Sequence, residues 1–546
     1  MTTPQAFYDR SKVWIDRMME LSPVAATQLG DHRYDGELGT FTLAEQDAQN
    51  ERIKGVQAEL LAMDTTSWPT DALVDHRLMR QIFQSFIRGY ESEQAHVRNP
   101  GQYLNATTGG VMLLLMKDFA PLPERLKSAL SRTKQVPRVL AEARDVIDPA
   151  QVPEVWAQTA LEQGQMAPML FTMLLPSLAQ QAAPDLVEEI SEAGAAAGKA
   201  VEEYIAFIRD EVLPNAKGEF AVGKERFDEI LREDHMVDYD ADELLKIGWE
   251  QLELTQKLME EVAKEIDPSK SVEEILEEAK SDHPTAEGLL KAYEDAMSGA
   301  RQFVIDHEVV TIPDSESLKI IETPVYLRPI IPYAAYMQPG IFDEQQDGIF
   351  VVTPVDPGAP AEVQEQKLKG QFNAKLPVTA LHEAYPGHHL QLVWANRTET
   401  IPRRMGSFLA TMLIEGWAFY CEELMEELGW NSEPVQKLGR LAGQLWRAAR
   451  IILDASLHTK GMSVDEAIDF LVEKVRLEPS NAKAEVWRYT QTPGQPQSYL
   501  MGKLQILDLI DDLKKANPDL SMKEIHDKLL GAGSLPPRLM RQVLEL

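Results

Sequence analysis

Helical periodicity with clear end signals is the feature of this sequence that most constrains its fold. From residue 184 up to Pro214, apolar residues recur at roughly helical spacing: Leu186, Ile190, Val201, Ile205 and Ile208. Three more segments begin with a capping box, in which a serine precedes a glutamate by three positions: Ser271 with Glu274, Ser463 with Glu466, and Ser521 with Glu524. The sequence therefore predicts a mainly α protein.

The helical pattern stops between residues 306 and 356, where β-branched and aromatic runs are broken by prolines. Residues 309–312, 319–321 and 348–353 predict three short strands. We therefore expect a helical region over 1–305, a small β-sheet segment over 306–356 that lines a cleft, and a second helical region over 357–546 that carries the catalytic site. A chain of 546 residues is long enough to bury such a site.

Charge and cysteine content disfavour several classes of function. Lys and Arg total 54 against 87 Asp and Glu, which gives a net charge of −33. This excess opposes binding to nucleic acid or anionic membranes, and no run of about 18 apolar residues could span a bilayer. The first ten residues lack the basic start and apolar stretch of a secretory signal, so we expect a soluble, cytoplasmic protein. Because Cys421 is the only cysteine, any metal must be held by histidine and carboxylate.

Residues 379–391 contain the strongest candidate for a catalytic site. In many zinc hydrolases two histidines four residues apart on one helix bind the metal, and the glutamate after the first acts as general base. Here His382 and Glu383 start the pattern, but His388 follows six residues after His382, about 240° around an ideal helix. His389 lies on the correct face, but ~10 Å along the helix axis. Neither spacing fits a regular helix.

Pro386 and Gly387 indicate how this spacing could still hold a metal. Pro386 has no N–H to bond the carbonyl of His382, so the helix must bulge or break there. Gly387 permits backbone angles that other residues avoid, and this could bring His388 to the position of an i+4 partner. We expect His388 to be the second ligand, with His389 as the alternative. Otherwise the three histidines simply lie in a turn between two helices.

A third ligand, Glu415, is predicted on a separate helix. It shares a helical face with three apolar residues: Phe408, Met412 and Phe419. A buried unpaired charge costs roughly several kcal/mol, so this carboxylate should be protonated, paired or bound to a metal. The alternative is a salt bridge to Arg403 or Arg404.

Both segments resemble the signatures of the bacterial DUF885 family, a group of uncharacterised function. The motifs lie at residues 382–388 and 415–418, and the resemblance extends from residues 26–34 to residues 492–495. The family is grouped by resemblance with gluzincin-type metallopeptidases, which implies a large helical body with a deep cleft and one Zn²⁺ ion. Its motif ends in Pro-Gly-His, which favours His388 over His389.

If the metal is present, Glu383 should take a proton from a zinc-activated water and pass it to the leaving amine. Tyr489 and Tyr499 flank a loop at residues 492–495, and either could stabilise the oxyanion, with Tyr499 favoured. The resemblance implies such a donor late in the chain.

Arg450, Asp454 and His458 recur at four-residue steps on one helix face. They form either an exposed ion-pair ladder or a functional group of residues. In the second case they either support the catalytic residues as a network or include an arginine that receives a substrate carboxylate. The strand at 348–353 could present an open edge to an extended peptide. We therefore assign Gly348, Phe350 and His389 to substrate binding together with Arg450.

The function predicted from the sequence is zinc-dependent hydrolysis of short peptides. A non-peptide amide or ester hydrolase and a metal-free helical binding protein are the alternatives. The sequence contains no Gly-x-Ser-x-Gly elbow and no phosphate-binding glycine loop, so serine hydrolase and nucleotide-dependent functions are not supported. We expect a small peptide or amide as partner, and the sequence predicts no oligomeric state.

Overall fold

The computed structural model describes residues 3–314, 316–324, 328, 331 and 333–546. The chain forms two units, Met1–Val222 with Gly340–Asp343 and Gly223–Pro339 with Glu344–Leu546. Most of the described residues are helical, which confirms the predicted mainly α fold. None of their helices combines the length and apolar character needed to cross a membrane.

The first unit is helical. Its helices are α1 Pro4–Leu21, α2 Pro23–Gln28, α3 Leu43–Leu61, α4 Thr70–Arg88, α5 Ala95–Arg98, α6 Gly101–Leu104, α7 Gly110–Met116, α8 Leu122–Val146, α9 Glu154–Gly164, α10 Ala167–Met169, α11 Leu175–Ala182 and α12 Val187–Phe207. The periodicity found from residue 184 thus corresponds to α12, which packs against α8. Arg132 of α8 is fully buried and donates to Thr27 of α2 and to the carbonyl of Gly110 of α7, so one charged side chain ties three helices together.

The second unit contains the sheet and all the predicted site residues. Its helices are α13 Lys224–Glu229, α14 Ala241–Ile266, α15 Val272–Ala279, α16 Leu289–Asp306, α17 Ala361–Lys369, α18 Leu376–Glu383, α19 His388–Asn396, α20 Ile401–Arg404, α21 Thr411–Glu427, α22 Pro434–Thr459, α23 Val464–Phe470, α24 Pro479–Tyr489, α25 Ser498–Ala516, α26 Met522–Gly531 and α27 Pro537–Val543. The three predicted capping boxes are confirmed: Ser271, Ser463 and Ser521 cap α15, α23 and α26.

The sheet has three strands, β1 Glu316–Glu322, β2 Ala334–Met337 and β3 Gln346–Val352, in the order β1-β3-β2. β3 pairs in parallel with β1 and antiparallel with β2. The predicted strands at 319–321 and 348–353 fall within or largely within β1 and β3. The open edge expected for β3 is wrong, because β3 is the central strand and its backbone is paired on both sides.

Gly348 and Phe350 therefore cannot add a peptide strand as predicted. Phe350 is 1% exposed and packs against Tyr293 of α16 at 5.3 Å between ring centroids. A Cβ at Gly348 would lie 2.6 Å from Nδ1 of His389, so the glycine allows that side chain to approach the sheet. Both residues pack the sheet against helices.

The predicted strand at 309–312 is also wrong. Val309 and Val310 are buried, but no described strand pairs with this segment. The N–H of Val309 donates to the carbonyl of Val304, and the other hydrogen bonds of the segment run to side chains. The carbonyl of Val309 accepts from Nδ1 of His526, and the N–H of Thr311 donates to Asp527. The β-branched run therefore reflects burial rather than sheet pairing.

Two close helix pairs position the site. α14 packs along α22, and α21 packs along α25. A Cβ at Gly416 of α21 would lie 2.3 Å from the carbonyl carbon of Gly502 of α25, and a Cβ at Gly502 would lie 2.0 Å from the carbonyl oxygen of Met412. Only glycine at both positions permits this approach, which brings Glu415 of α21 next to Tyr499 of α25.

Candidate metal centre

The helix carrying His382 and Glu383 ends at Glu383, and the next helix begins at His388. Of the two outcomes expected at Pro386, the structure therefore has a break. The N–H of Gly387 donates to the carbonyl of Leu381, and a Cβ at Gly387 would lie 2.0 Å from the carbonyl oxygen of His382. Glycine is thus required for the chain to fold back and bring His388 beside His382.

His382, His388 and Glu415 form a cluster whose potential ligand atoms all lie within 4.8 Å of one another. The two imidazole rings are 4.7 Å apart and nearly perpendicular. Oε2 of Glu415 lies 3.4 Å from Nε2 of His388 and 4.0 Å from Nε2 of His382. Ligand atoms about 2.0–2.2 Å from a zinc ion are separated by roughly these distances, so the three side chains fit a tetrahedral site with one open position.

A buried oxygen supports this fit. Among the described residues, no donor makes a hydrogen bond to Oε2 of Glu415, although the atom is shielded from solvent. Burying a carboxylate oxygen without a hydrogen bond is costly even 3.4 Å from Nε2 of His388, and a cation between Glu415 and the two histidines would remove that cost. Within the part of the chain that the structure describes, no salt bridge joins Glu415 to Arg403 or Arg404: Arg403 donates to the carbonyl of Ala532 and Arg404 to that of Thr398.

Electrostatics couple Glu415 to His388. Burial opposes ionisation of Glu415, but the nearby His388 outweighs it and lowers the pKa of Glu415 to about 2. Burial also opposes protonation of His388, whereas Glu415 raises the pKa of His388 overall. Without a cation the two residues form an ion pair. Metal binding would require His388 to lose its proton, so metal affinity should fall in acid.

Glu422 is a functional candidate that the sequence analysis missed. Its Oε1 lies 2.7 Å from Nδ1 of His382, and its side chain is 3% exposed. Burial raises the pKa of Glu422, but His382 and Arg447 outweigh this and lower it, so the carboxylate is charged. We assign the His382 proton to Nδ1, which leaves the Nε2 lone pair directed towards Glu415 and a metal. The sequence signal that could have identified Glu422 was its spacing, because it lies two helical turns after Glu415 and therefore on the same face of the helix.

A cavity of about 1550 Å³ opens onto the cluster. Its described lining includes His382, Glu383, His388, Glu415 and Tyr499. Glu383, predicted as general base, and Tyr499, favoured as oxyanion donor, therefore line the same space as the predicted ligands. Tyr499 also contacts Glu415, and burial together with that carboxylate raises the pKa of Tyr499, so the phenol keeps its proton for donation.

Tyr489 lies outside the described lining of the cavity. It is fully buried, donates to Glu485 at 2.8 Å and accepts from Nε of Arg450 at 3.0 Å. The structure therefore does not bring its hydroxyl to the cluster, because that hydroxyl is hydrogen-bonded to Glu485 and Arg450. Arg450 itself lines the cavity.

The side chains of His458 and His389 also lie away from the positions that were predicted for them. Nε2 of His458 lies 3.0 Å from the carbonyl oxygen of Tyr489, and its ring stacks near Phe227, away from the described cavity lining. His389 is fully buried between Glu316 at 2.9 Å and the hydroxyl of Tyr336 at 3.0 Å. Neither residue belongs to the described lining of the cavity or to the three-residue cluster, so the structure does not bring His458 or His389 to the place where their predicted roles would be carried out.

The sequence matches the family described as "Bacterial protein of unknown function (DUF885)" over residues 23–544. The chain belongs to the DUF885 family. A solved structure of a candidate lipoprotein of unknown function from Shewanella oneidensis has a TM-score of 0.80 and 25% identity, covering 98% of this chain and 99% of its own. A candidate lipoprotein from Colwellia psychrerythraea has a TM-score of 0.83 and 17% identity, covering 100% and 99%. No curated protein matches the sequence.

In this DUF885 protein each residue of the Glu415-Gly416-Trp417 segment has a separate structural task. Glu415 joins the histidine cluster, and Gly416 allows the contact with α25. Nε1 of Trp417 donates to the carbonyl of Pro386 at 2.7 Å. The second motif therefore supplies one side chain of the cluster and also anchors the turn that positions His388.

Replacing Glu422 with glutamine should weaken zinc binding about 10- to 100-fold, because the carboxylate orients His382 and increases its basicity. Chelator competition measures the zinc Kd. Glu427→Gln is the matched control, since Glu427 lies on the same helix but is exposed. An unchanged Kd in Glu422→Gln would show that this carboxylate does not support the metal site.

Proposed function

We propose that this DUF885 protein is a zinc-dependent hydrolase that cleaves short peptides. The observation that carries the proposal is the His382–His388–Glu415 cluster, whose buried Glu415 oxygen makes no hydrogen bond within the described residues. Two histidines and a glutamate are a ligand set of gluzincin-type peptidases, in line with the resemblance of the motifs. The histidine spacing differs from theirs, and the break at Pro386 compensates for it.

A zinc ion in this cluster would lower the pKa of a water molecule and polarise a substrate carbonyl. The remaining work falls to protein side chains. Glu383 would accept a proton from the attacking water and deliver it to the leaving nitrogen. Tyr499 would donate a hydrogen bond to the carbonyl oxygen as negative charge develops there. Glu422 would keep His382 in a single tautomer and orientation.

Peptides are favoured over smaller amides by the size of the cavity. Its volume of about 1550 Å³ exceeds the roughly 300–1,000 Å³ of a typical small-molecule pocket. Charged residues of both signs line it, and these can pair with both ends of a peptide. Lys375 and Arg450 are among the basic residues, and Glu383 and Glu478 are among the acidic ones.

The test is metal analysis combined with hydrolysis of a peptide panel. Protein purified without chelator should hold about one zinc ion and release amino acids from tri- to hexapeptides. Removing the metal with 1,10-phenanthroline should reduce the rate to below about 1%, and adding zinc should restore it. Cleavage that survives metal removal would contradict a metal mechanism. Zinc-dependent cleavage of small esters or amides but not peptides would favour the non-peptide hydrolase, and absence of both metal and turnover would favour a binding protein.

We keep the cytoplasmic location as a proposal, which the strong negative charge supports because it opposes binding to anionic membranes. The two structural neighbours are described as candidate lipoproteins, which is a reason to test it. Fractionation of the producing cells decides the question, because recovery in a membrane fraction would contradict a cytoplasmic location.

A further inference from the structure

The guanidinium of Arg450 has one donor group without a partner. Its Nε donates to the hydroxyl of Tyr489 and its Nη2 to Glu485, each at 3.0 Å. Its Nη1 is buried and makes no hydrogen bond to any described residue, although the whole side chain is only 6% exposed. A buried N–H without an acceptor is costly, and Arg450 lines the cavity, so an acceptor supplied by a ligand there would remove that cost.

Aromatic rings fix the orientation of this guanidinium. Its central carbon lies 4.4 Å from the ring centroid of Trp446 and 4.5 Å from that of Tyr499. Such contacts hold a cation in place without neutralising its charge. The geometry therefore presents a rigid donor rather than a mobile surface arginine.

A second arginine strengthens the positive character of this wall. Arg447 also lines the cavity and lies 5.7 Å from the centroid of Tyr499, and its Nε is buried without a hydrogen-bond partner among the described residues. Glu485 is shared between two arginines, because Arg488 also donates to it at 2.9 Å, so its charge is not available to Arg450 alone. Glu422 lies 3.9 Å from Arg447 but is engaged by His382. In this group three arginines (Arg447, Arg450 and Arg488) therefore face two carboxylates (Glu422 and Glu485).

Tyr499 connects this wall to the candidate metal centre. Its ring contacts Arg450, and its hydroxyl interacts with Glu415. A single phenol side chain therefore contacts both the guanidinium of Arg450 and the carboxylate of Glu415. An extended peptide advances about 3.3–3.6 Å per residue, so an anion held by Arg450 would lie one or two residues from the bond being cleaved.

We propose that Arg450, assisted by Arg447, binds the free C-terminal carboxylate of a peptide and makes this protein a carboxypeptidase. The inference rests on the proposed function and specifies its substrate class. In the reaction, water oxygen forms a bond to the carbonyl carbon one or two residues from the end, and the C–N bond breaks. One water proton passes through Glu383 to the leaving nitrogen. The products are a shortened peptide with a new carboxylate and a free amino acid or dipeptide.

The activity test compares one peptide in three forms: unmodified, C-terminally amidated and N-acetylated. For the zinc-loaded wild type, we expect kcat/KM to be about 100-fold higher for the free acid than for the amide, and little changed by acetylation. Arg450→Gln should lower kcat/KM for the free acid about 100-fold, mainly through KM, so that the variant no longer prefers the acid over the amide. Arg450→Lys should restore part of the preference because it keeps the charge.

Arg476→Gln is the matched control, because Arg476 also lines the cavity but is exposed. Equal cleavage of acid and amide by the wild type, or a preference that survives in Arg450→Gln, would overturn the inference while leaving the peptidase proposal intact. If the wild type cleaves no form of the peptide, the peptidase proposal itself fails. Melting temperatures establish that the variants are folded.

A binding measurement tests the carboxylate site without turnover. In protein carrying Glu383→Gln, calorimetry should show that N-acetyl-Ala-Ala binds at least about 10-fold more tightly than its C-terminal amide. Adding Arg450→Gln should remove this difference. Equal affinity for the acid and the amide in the folded Glu383→Gln protein would overturn the proposal, whatever the activity of the wild type.

Discussion

Replacing Glu383 with glutamine is expected to lower kcat for peptide hydrolysis about 1000-fold while leaving the zinc content unchanged. Glutamine has nearly the same shape as glutamate but cannot accept a proton at neutral pH. Glu383 lies outside the three-residue cluster, so its loss should not release the metal. Steady-state kinetics and elemental analysis of the same sample separate the two effects.

Glu473→Gln provides the control for this experiment. Glu473 also lines the cavity but is exposed on its rim, so the same chemical change there should leave kcat within a few-fold of the wild type. Full turnover in Glu383→Gln would show that another group accepts the proton. Loss of zinc in that variant would instead show that Glu383 helps to hold the metal.

The second large effect is expected at the cluster itself. His382→Ala, His388→Ala and Glu415→Gln should each reduce the bound zinc from about one ion per chain to below about 0.1, because two remaining ligands bind zinc weakly. Hydrolysis should be lost in parallel. Elemental analysis after purification without chelator measures the metal directly, and circular dichroism verifies that each variant is folded.

Two other histidines serve as comparisons. His307 is exposed at the end of α16, and His307→Gln should keep both metal and activity. His389→Gln should keep the metal as well, because His389 is occupied by Glu316 and Tyr336. Zinc that persists in Glu415→Gln would remove this residue from the ligand set. A wild type without zinc would mean that His388 and Glu415 are simply a buried ion pair.

Local signals in the sequence predicted much of the fold. The capping boxes at Ser271, Ser463 and Ser521 are confirmed because the interactions involved span three residues and depend little on the rest of the chain. The predicted strand at 309–312 was wrong for the opposite reason. Its hydrogen-bond partners, His526 and Asp527, lie more than 200 residues away. Nothing local distinguishes a buried extended segment from a strand.

The same limit applies to the candidate site. The sequence identified the cluster residues because the break at Pro386 and the apolar stripe around Glu415 are short-range patterns. It could not show that Glu422 contacts His382, a partner 40 residues away. Nor could it show that Glu316 holds His389, 73 residues away. The short strand β2 gave no signal of its own, which is why β3 was expected at an edge.

The crossing of α21 and α25 has a consequence for how the site can vary. Because main chain meets main chain at Gly416 and Gly502, the spacing between Glu415 and Tyr499 is set by the backbone, not by the choice of side-chain rotamers. A methyl group at either position would act as a wedge and lengthen the reach from the phenol to the carboxylate. The distance between Tyr499 and the cluster therefore depends on two positions that have no side chain.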